Sequence, residues 1–337
     1  MLEEGLLLSF NNPKREGQGE DADPVACDSG DAEWIGVFDG MGGAGASSYE
    51  TDDGKRSGAY LASRTVAGLC EKWARTEAGA LTGGERKRSL HDVLSVGLAD
   101  QLLALSPSKS RIRGRLLKSL PTTLAVVGVH NRSDHYVDCD VMWAGDSRIY
   151  CLEPGRGLVQ LSTDHLEQSL DAQANLLGDD ALSNFLSADN PFFIEELWAQ
   201  LPKPVLLIAA TDGCFGYVYS PAHFELLLLA SLGDSTDPDH WAANLQSRIG
   251  EVTGDDASMA ILQYGWDSFE ALRNAFEPRW QIVAPLIGQL DLARQQAKDA
   301  AAALTKADDE LAAMTSRYWQ TYRASYESGI QTSRWPS

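Results

Sequence analysis

Five short acidic motifs recur along the chain, and each stands beside a run of apolar residues that predicts a β-strand. They are Gly19-Glu20-Asp21-Ala22, Val37-Phe38-Asp39-Gly40, Ala144-Gly145-Asp146-Ser147, Ala210-Thr211-Asp212-Gly213 and Gly254-Asp255-Asp256-Ala257. Carboxylate and carbonyl oxygens are the ligands that Mg²⁺ and Mn²⁺ prefer. A strand that ends beside glycine fixes the carboxylate and leaves room for close approach of backbone or substrate.

Each motif alone has an ordinary structural explanation. Asp39-Gly40 and Asp212-Gly213 are common turn dipeptides, and Asp255-Asp256 could be a solvated pair in a loop. The joint occurrence is more informative, because two divalent ions need several carboxylates from distant segments converging at one edge. The five motifs together therefore predict a carboxylate cage and the chemistry of a metal-dependent hydrolase.

Composition limits the class of protein. The chain has 337 residues, 44% of them hydrophobic, and a net charge of −20. That charge disfavours nucleic acid and anionic membranes as partners, and we expect most of it to be a solvated surface. The five cysteines are scattered without a CxxC pair, which is typical of reduced thiols in the cytoplasm. The start lacks the basic region of a signal peptide, and no apolar run approaches membrane-spanning length.

Hydrophobic periodicity predicts strands and helices in an order without strict β-α alternation. Strands are expected at 1–9, 34–39, 124–129, 135–143, 148–152, 157–161, 205–209 and 258–264, with the middle four forming one antiparallel meander. Helices are expected at 56–76, 88–105, 221–233 and 238–249. This pattern favours an α+β protein in which helices cover antiparallel sheets.

The motifs resemble those of the metal-dependent serine/threonine protein phosphatases, the type 2C family, and are closest to its bacterial branch. The resemblance spans about residues 5–264 and rests on Glu20-Asp21, Phe38-Asp39-Gly40-Met41-Gly42-Gly43, Pro121-Thr122-Thr123, Gly145-Asp146-Ser147, Thr163-Asp164-His165, Thr211-Asp212-Gly213 and Asp255-Asp256-Ala257-Ser258. It implies a four-layer αββα sandwich of two antiparallel sheets. We therefore divide the chain into a catalytic domain at 1–265 and a helical extension at 266–337.

The resemblance also implies roles for the acidic residues and two, or three, Mn²⁺ or Mg²⁺ ions. Asp39 would bridge the two catalytic metals. Glu20 and the Gly40 carbonyl would hold one of them, and Asp212 and Asp255 the other. Asp21 would orient metal-bound water. Asp146, together with Asp212, would hold a third, weaker metal.

Two positions depart from the family pattern. Many members carry His, often assigned as a proton donor, where this chain has Met41, and Met cannot donate a proton. The donor is therefore unassigned, and a water molecule on a metal is one option. The family also places an Arg shortly before the Glu-Asp pair to grip phosphate. Arg15 is the choice here because its guanidinium group can bind two phosphate oxygens, and Lys14 is the alternative. The structural explanation is that both residues are solvent-facing cations of a loop.

Three functions follow from these observations. The first is an active phosphatase in which an activated water attacks phosphoserine or phosphothreonine in line. Its partner would be a phosphorylated protein, such as a serine/threonine kinase or the targets of one. The second is a phosphatase-like regulatory or binding module that acts through its C-terminal helix. The third is a hydrolase of small phosphate esters on the same scaffold.

The C-terminal segment has a different periodicity. Apolar residues alternate at steps of three and four over about four heptads: Leu290, Ala293, Ala297, Ala300, Leu304, Ala307, Leu311, Met314 and Tyr318. This pattern predicts one long helix, or a helix with a short break, over 283–326, with a seam for another helix. The helix would either pair with another helix or subunit, through self-association or a partner, or lie as an ordinary amphipathic helix on the catalytic core.

Overall fold

The computed structural model describes residues 2–52, 54–105, 118–167, 171, 173 and 181–328. The strands are β1 Gly5–Asn12, β2 Val25–Asp28, β3 Glu33–Val37, β4 Ser48–Thr51, β5 Gly54–Ser57, β6 Leu124–His130, β7 Tyr136–Ala144, β8 Arg148–Glu153, β9 Gly157–Gln160, β10 Glu195–Pro202, β11 Val205–Ala210 and β12 Ala257–Tyr264. The α-helices are α1 Gly58–Thr76, α2 Gly84–Ala104, α3 Asp212–Phe215, α4 Pro221–Gly233, α5 Pro238–Val252 and α6 Phe269–Tyr326.

Two antiparallel sheets form the centre of the protein. One has the strand order β1-β12-β11-β8-β9 and the other the order β10-β7-β6-β3-β2. Strands β4 and β5 form a separate hairpin. Helices α1 and α2 cover the second sheet, and α5 packs against β1 of the first. The predicted α+β sandwich with a long C-terminal helix is therefore confirmed.

The core between the sheets follows from side-chain alternation along each strand. In β3, Ile35 and Val37 point between the sheets, whereas Trp34 points towards α1 and meets Trp73 edge-on, with 5.1 Å between ring centroids. Strand β6 alternates in the same way, with Val127 between the sheets and Val126 towards the helices. Both faces of these strands are covered, which explains why they read as nearly continuous apolar runs.

Side-chain caps define where helices begin. The Ser57 hydroxyl accepts a hydrogen bond from the Tyr60 amide at the start of α1, at 3.1 Å. The Asp237 carboxylate accepts one from the His240 amide at the start of α5, at 2.9 Å, and Pro238 occupies the first turn. Such caps satisfy amides that have no partner inside the helix.

The prediction of one meander over four strands was wrong. Strands β6 and β7 pair in one sheet, and β8 and β9 pair in the other. The chain crosses between the sheets at Gly145, whose φ is +108°, and a Cβ there would lie 2.7 Å from Cγ2 of Thr123. A tight turn that joins two sheets has the same local sequence as a hairpin turn, so periodicity alone does not separate them.

Four strands were not predicted from the sequence, namely β2, β4, β5 and β10. Strand β10 pairs with β7 along one side and forms an edge of its sheet. Its residues are mostly exposed, including Trp198, so it lacks the apolar run that marks a covered strand. An edge strand is stabilised mainly by pairing with its neighbour, which depends on tertiary context.

The C-terminal helix begins at Phe269, earlier than the predicted residue 283, and runs for 58 residues. The chain divides into two compact units, Met1–Val283 and Ala284–Ser337. The first turns of α6 belong to the first unit and bury Leu272 and Phe276. The domain boundary at 265/266 stays a prediction, and residues 329–337 of the extension lie outside the described part. None of the described helices is both long and apolar enough to cross a membrane.

Candidate metal centre

The acidic motifs lie in segments that connect strands of the two sheets. Glu20 and Asp21 lie between β1 and β2, Asp39 follows β3, Asp146 joins β7 to β8, Asp212 follows β11, and Asp255 precedes β12. Antiparallel pairing brings the end of β11 beside the start of β12, and the end of β7 beside the start of β6. The topology therefore gathers residues that are more than two hundred positions apart in the chain.

The carboxylates of the motifs act on one another's charge. Desolvation by the surrounding protein raises the pKa of Asp39 well above its usual value, and the charges of Asp21, Asp212 and Asp146 raise it further. Desolvation likewise raises the pKa of Asp212, with contributions from Asp146, Asp21 and Asp255. Like charges held together in this way favour either a proton or a bound cation.

Two further carboxyls have raised pKa values. Burial raises the pKa of Asp21 to about 7, although the Thr211 hydroxyl donates a hydrogen bond to it at 2.9 Å. Burial, and next the charge of Asp164, raise the pKa of Asp146 to about 6. Oδ1 of Asp146 is buried without a hydrogen-bond partner among the described residues. A buried acceptor of this kind is costly unless a donor or cation satisfies it.

The donor chemistry fits hard divalent cations, because every group in the cluster offers oxygen. Within the described ranges, however, no group of three or more His, Cys, Asp or Glu side chains is already arranged to hold a metal ion. The fit therefore rests on the mutual proximity of the carboxylates and on the orphaned Oδ1 of Asp146. Metal binding by these residues stays a prediction.

The raised pKa values predict how the metal-free protein responds to pH. Asp21 has an ordinary pKa of 3.8 and a folded pKa of about 7, so its proton stabilises the folded state at low pH, and that contribution is lost as pH rises through about 7. We expect thermal unfolding in EDTA to show this loss. Asp21→Asn should show a weaker pH dependence of its melting temperature than wild type, and Mn²⁺ should reduce the loss in wild type. Identical pH profiles for wild type and variant would contradict this account.

The backbone around Asp39 is held by two buried threonines. The Thr122 hydroxyl donates to the Asp39 carbonyl at 2.6 Å, and the Thr123 hydroxyl accepts from the Asp39 amide at 3.1 Å. Thr123 also shares a hydrogen bond with the hydroxyl of Ser147 at 2.6 Å. The loops that carry Asp39 and Asp146 are thereby joined. Thr122 and Thr123 therefore hold the local backbone of the candidate site.

Glu20 is oriented by neighbours on α1 and at its start. The Ser57 hydroxyl donates to Oε1 of Glu20. The guanidinium of Arg64 donates to the Glu20 carbonyl at 3.3 Å and to the Gly19 carbonyl at 3.2 Å, and it stacks 3.6 Å from the centroid of the Tyr60 ring. These contacts fix the carboxylate and bring a positive charge to an acidic edge.

Asp256 connects the loop before Glu20 to the loop before β12. Its carboxylate accepts hydrogen bonds from the Lys14 amide at 2.7 Å and from the Glu20 amide at 2.5 Å. Arg15 and Lys14 are both exposed. The two bonds hold the segment 14–20 against the acidic loop. Phosphate binding by Arg15, or by Lys14, stays a prediction.

Sequence reasoning missed the supporting residues Asp256, Thr211, Ser57 and Arg64. The adjacent Asp255-Asp256 pair was the signal available for Asp256. Thr211 was visible as part of a motif. Nothing local marks Ser57 or Arg64, which reach the site only because α1 packs beside the loop at Glu20.

His165 contacts the crossing between the two sheets. Its Nδ1 faces the Gly145 amide at 3.0 Å and the side-chain nitrogen of Asn184 at 3.0 Å. Burial lowers its pKa, which favours the neutral ring. Neutral imidazole with Nδ1 as acceptor stabilises the crossing between the sheets beside Asp146.

Gly213 lies where the segment after β11 approaches the acidic loop before β12 closely. A Cβ at this position would lie 1.8 Å from the backbone carbonyl oxygen of Asp256, which cannot move without shifting the acidic loop. We expect Gly213→Ala to destabilise the protein by about 1–3 kcal/mol, the usual cost of overpacking, and to weaken metal-induced stabilisation. The matched control is Gly43→Ala, where a Cβ would meet nothing within 4 Å. Equal melting temperatures for the two variants would contradict the prediction.

Comparison with solved structures identifies the fold. The chain is similar to a serine/threonine phosphatase from Staphylococcus aureus, with a TM-score of 0.55 and 16% identity over 79% of this chain and 96% of that one. It is also similar to the S. agalactiae serine/threonine phosphatase, with a TM-score of 0.54 and 17% identity over 78% and 99% of the two chains. The Mycobacterium tuberculosis serine/threonine phosphatase gives 0.53 and 15% over 77% and 98%.

No family model matches the chain, and neither does any curated protein. At these identities the structural likeness establishes the fold and not the activity. The resemblance to bacterial serine/threonine phosphatases, first recognised in the acidic motifs, is confirmed at the level of the fold.

Proposed function

We propose that this protein is a metal-dependent serine/threonine protein phosphatase. The observation that carries the proposal is the coupled carboxylate cluster around Asp39, which lies in a fold shared with bacterial serine/threonine phosphatases. Buried like charges are costly, and a fold keeps them together where they serve a site. The cluster supports a cation-binding centre, and the fold supports phosphatase chemistry at it.

The proposed ligands are Glu20, Asp39, the Gly40 carbonyl, Asp146, Asp212 and Asp255, and Asp21 would orient water bound to the metals. Asp39 is the natural shared ligand, because the charges of Asp21, Asp212 and Asp146 all act on it. Bound Mn²⁺ or Mg²⁺ would supply an activated water and neutralise the phosphoryl group. The protein's own part is to hold the carboxylates in place, through Thr122, Thr123, Ser57 and Thr211, before substrate arrives.

Arg15 is the proposed phosphate-binding residue. It is exposed one residue after Lys14, whose amide is bonded to Asp256. A guanidinium can donate to two phosphate oxygens in parallel, whereas a lysine presents a single charged group. The short segment 14–20 would position the Arg15 guanidinium beside the carboxylates. There it would bind the phosphate group of the substrate.

The proposed substrate is a phosphorylated protein, such as a kinase or its targets. The test is hydrolysis of a phosphothreonine peptide and of a small phosphate ester, each with Mn²⁺, Mg²⁺ or EDTA. We expect turnover of the peptide with metal and none with EDTA. Turnover of the small ester alone would support the small-ester hydrolase. A folded protein that is inactive with every metal would refute the proposal and favour the regulatory module.

A further inference from the structure

The part of α6 in the second unit presents a line of exposed apolar side chains. Leu304, Leu311, Met314 and Tyr318 are each more than 60% exposed. Exposed apolar residues at heptad spacing on a helix of this length are typical of a helix that pairs with another. The charged residues of this region lie between the seam positions.

The side chains at the two kinds of seam position differ in size. The first position of each heptad holds Leu290, Ala297, Leu304, Leu311 and Tyr318, and the fourth holds Ala293, Ala300, Ala307, Met314 and Thr321. Large residues therefore dominate one position and alanine dominates the other. A helix with such a seam packs well only against a partner that offers small side chains opposite its large ones.

We propose that α6 pairs with α6 of a second copy of this chain, with the two helices antiparallel and the two-fold axis between residues 305 and 306. In antiparallel pairs, first-position residues face fourth-position residues. With this axis, Leu290 lies opposite Thr321, Ala293 opposite Tyr318, Ala297 opposite Met314, Ala300 opposite Leu311, and Leu304 opposite Ala307. Every layer then combines one larger and one smaller side chain.

A parallel pair in register would pack poorly. Each residue would face the same residue of the second copy. This places Leu304 against Leu304, but it also creates three consecutive alanine layers at Ala293, Ala297 and Ala300. Layers of alanine leave gaps at the helix separation that leucine layers require, and such gaps cost dispersion contacts and burial. The size pattern therefore selects the antiparallel direction.

Charge favours the same arrangement. The run Asp308-Asp309-Glu310 is the most acidic part of the seam region, and 301–303 are all alanine. In the antiparallel pair the acidic run lies at the level of the alanines of the second copy. In a parallel pair it would lie at the level of the same three carboxylates, where like charges repel. Self-complementarity in size, together with the separation of the two acidic runs, thus points to a second copy as the occupant.

The proposed contact is long enough to be specific. The layers run from Leu290 to Thr321, which corresponds to about 48 Å of helix at 1.5 Å per residue. Alanine in every layer but the outermost lets the helix axes approach closely along most of this length. The inference is independent of the proposed catalytic function, because none of these residues lies in the carboxylate site.

The first experiment measures the mass of the full chain by light scattering with Leu304→Glu and the matched control Thr305→Glu. Leu304 lies in the two central layers, whereas Thr305 is on a neighbouring position outside the seam. We expect wild type and Thr305→Glu to have twice the 36.6 kDa chain mass and Leu304→Glu to be monomeric. Circular dichroism checks that both variants are folded. A monomeric wild type, or a dimer that survives Leu304→Glu, would overturn the proposal.

The second experiment determines whether the two helices are antiparallel, by measuring the distance between spin labels on the two copies. The labels are attached at Ala302→Cys or at Ser316→Cys, both on the side of the helix away from the seam. In the antiparallel pair, residue 302 is level with 309 of the second copy, an axial offset of about 10 Å, and 316 is level with 295, an offset of about 32 Å. The two same-residue distances should therefore differ clearly. Equal distances would indicate a parallel pair and overturn the proposal. Labelled wild type corrects for the five native cysteines.

Discussion

Asp39→Asn should reduce metal-dependent hydrolysis of a phosphothreonine peptide on the order of 10²–10³-fold, the scale seen when one preorganised electrostatic group is lost from a site. The substitution keeps the size of the side chain and removes its negative charge. Because the charges of Asp21, Asp212 and Asp146 all act on Asp39, its removal affects the whole cluster. We expect the loss in kcat with both Mn²⁺ and Mg²⁺.

The same substitution should lower activity but raise the stability of the metal-free protein. Desolvation and neighbouring carboxylates raise the pKa of Asp39, so its charge destabilises the metal-free folded state at neutral pH. In EDTA, Asp39→Asn should therefore melt at a higher temperature than wild type, while the increase caused by added Mn²⁺ should shrink. The control is Asp134→Asn in the exposed turn between β6 and β7. A variant that keeps full activity would remove Asp39 from the proposed centre.

Arg148→Met should destabilise the protein by about 3–5 kcal/mol, the usual cost of leaving one member of a buried ion pair alone. Arg148 donates from Nε and Nη2 to the two carboxylate oxygens of Asp164, at 2.8 and 2.5 Å. Both side chains are less than 5% exposed. The guanidinium also stacks on Phe215, 4.3 Å from its ring centroid. A loss of this size is a large fraction of the roughly 5–15 kcal/mol that stabilises a typical domain.

Two comparisons separate burial from charge loss as the cause. Arg248→Met breaks an ion pair with Asp234 that has the same 2.5 Å separation but is exposed, so it should cost about 1 kcal/mol or less. The double variant Arg148→Met with Asp164→Leu removes both buried charges and should recover most of the lost stability. Denaturant unfolding measures the free energy of unfolding of wild type, of the two single variants and of the double variant. If Arg148→Met and Arg248→Met cost the same, burial of the pair is not what makes it sensitive.

Much of the secondary structure could be predicted, because apolar runs and helical periodicity are local properties. Helix α4 and strands such as β6 and β11 lie close to where the pattern placed them. The errors fall where partners decide the outcome. Strand β10 lacks an apolar face of its own, and the split between β7 and β8 depends on which sheet each strand joins.

The candidate site divides in the same way. The carboxylates of Asp39, Asp146 and Asp212 could be identified from their motifs, because an acidic residue beside glycine at a strand end is visible in the sequence. Their mutual coupling could not be read there, nor could the way Arg64 and Asp256 hold the loop at Glu20. Those contacts join residues that are separated by tens to hundreds of positions.

The sequence by itself determined the types of residue at the centre, the apolar pattern of the covered strands and the alternation of large and small residues along the C-terminal helix. These are properties of composition and spacing, which local physical chemistry translates directly. Only the tertiary structure decided which strands share a sheet, and with that which carboxylates meet. Strand pairing is set by the packing of whole faces against each other, and no short segment of the chain contains that information.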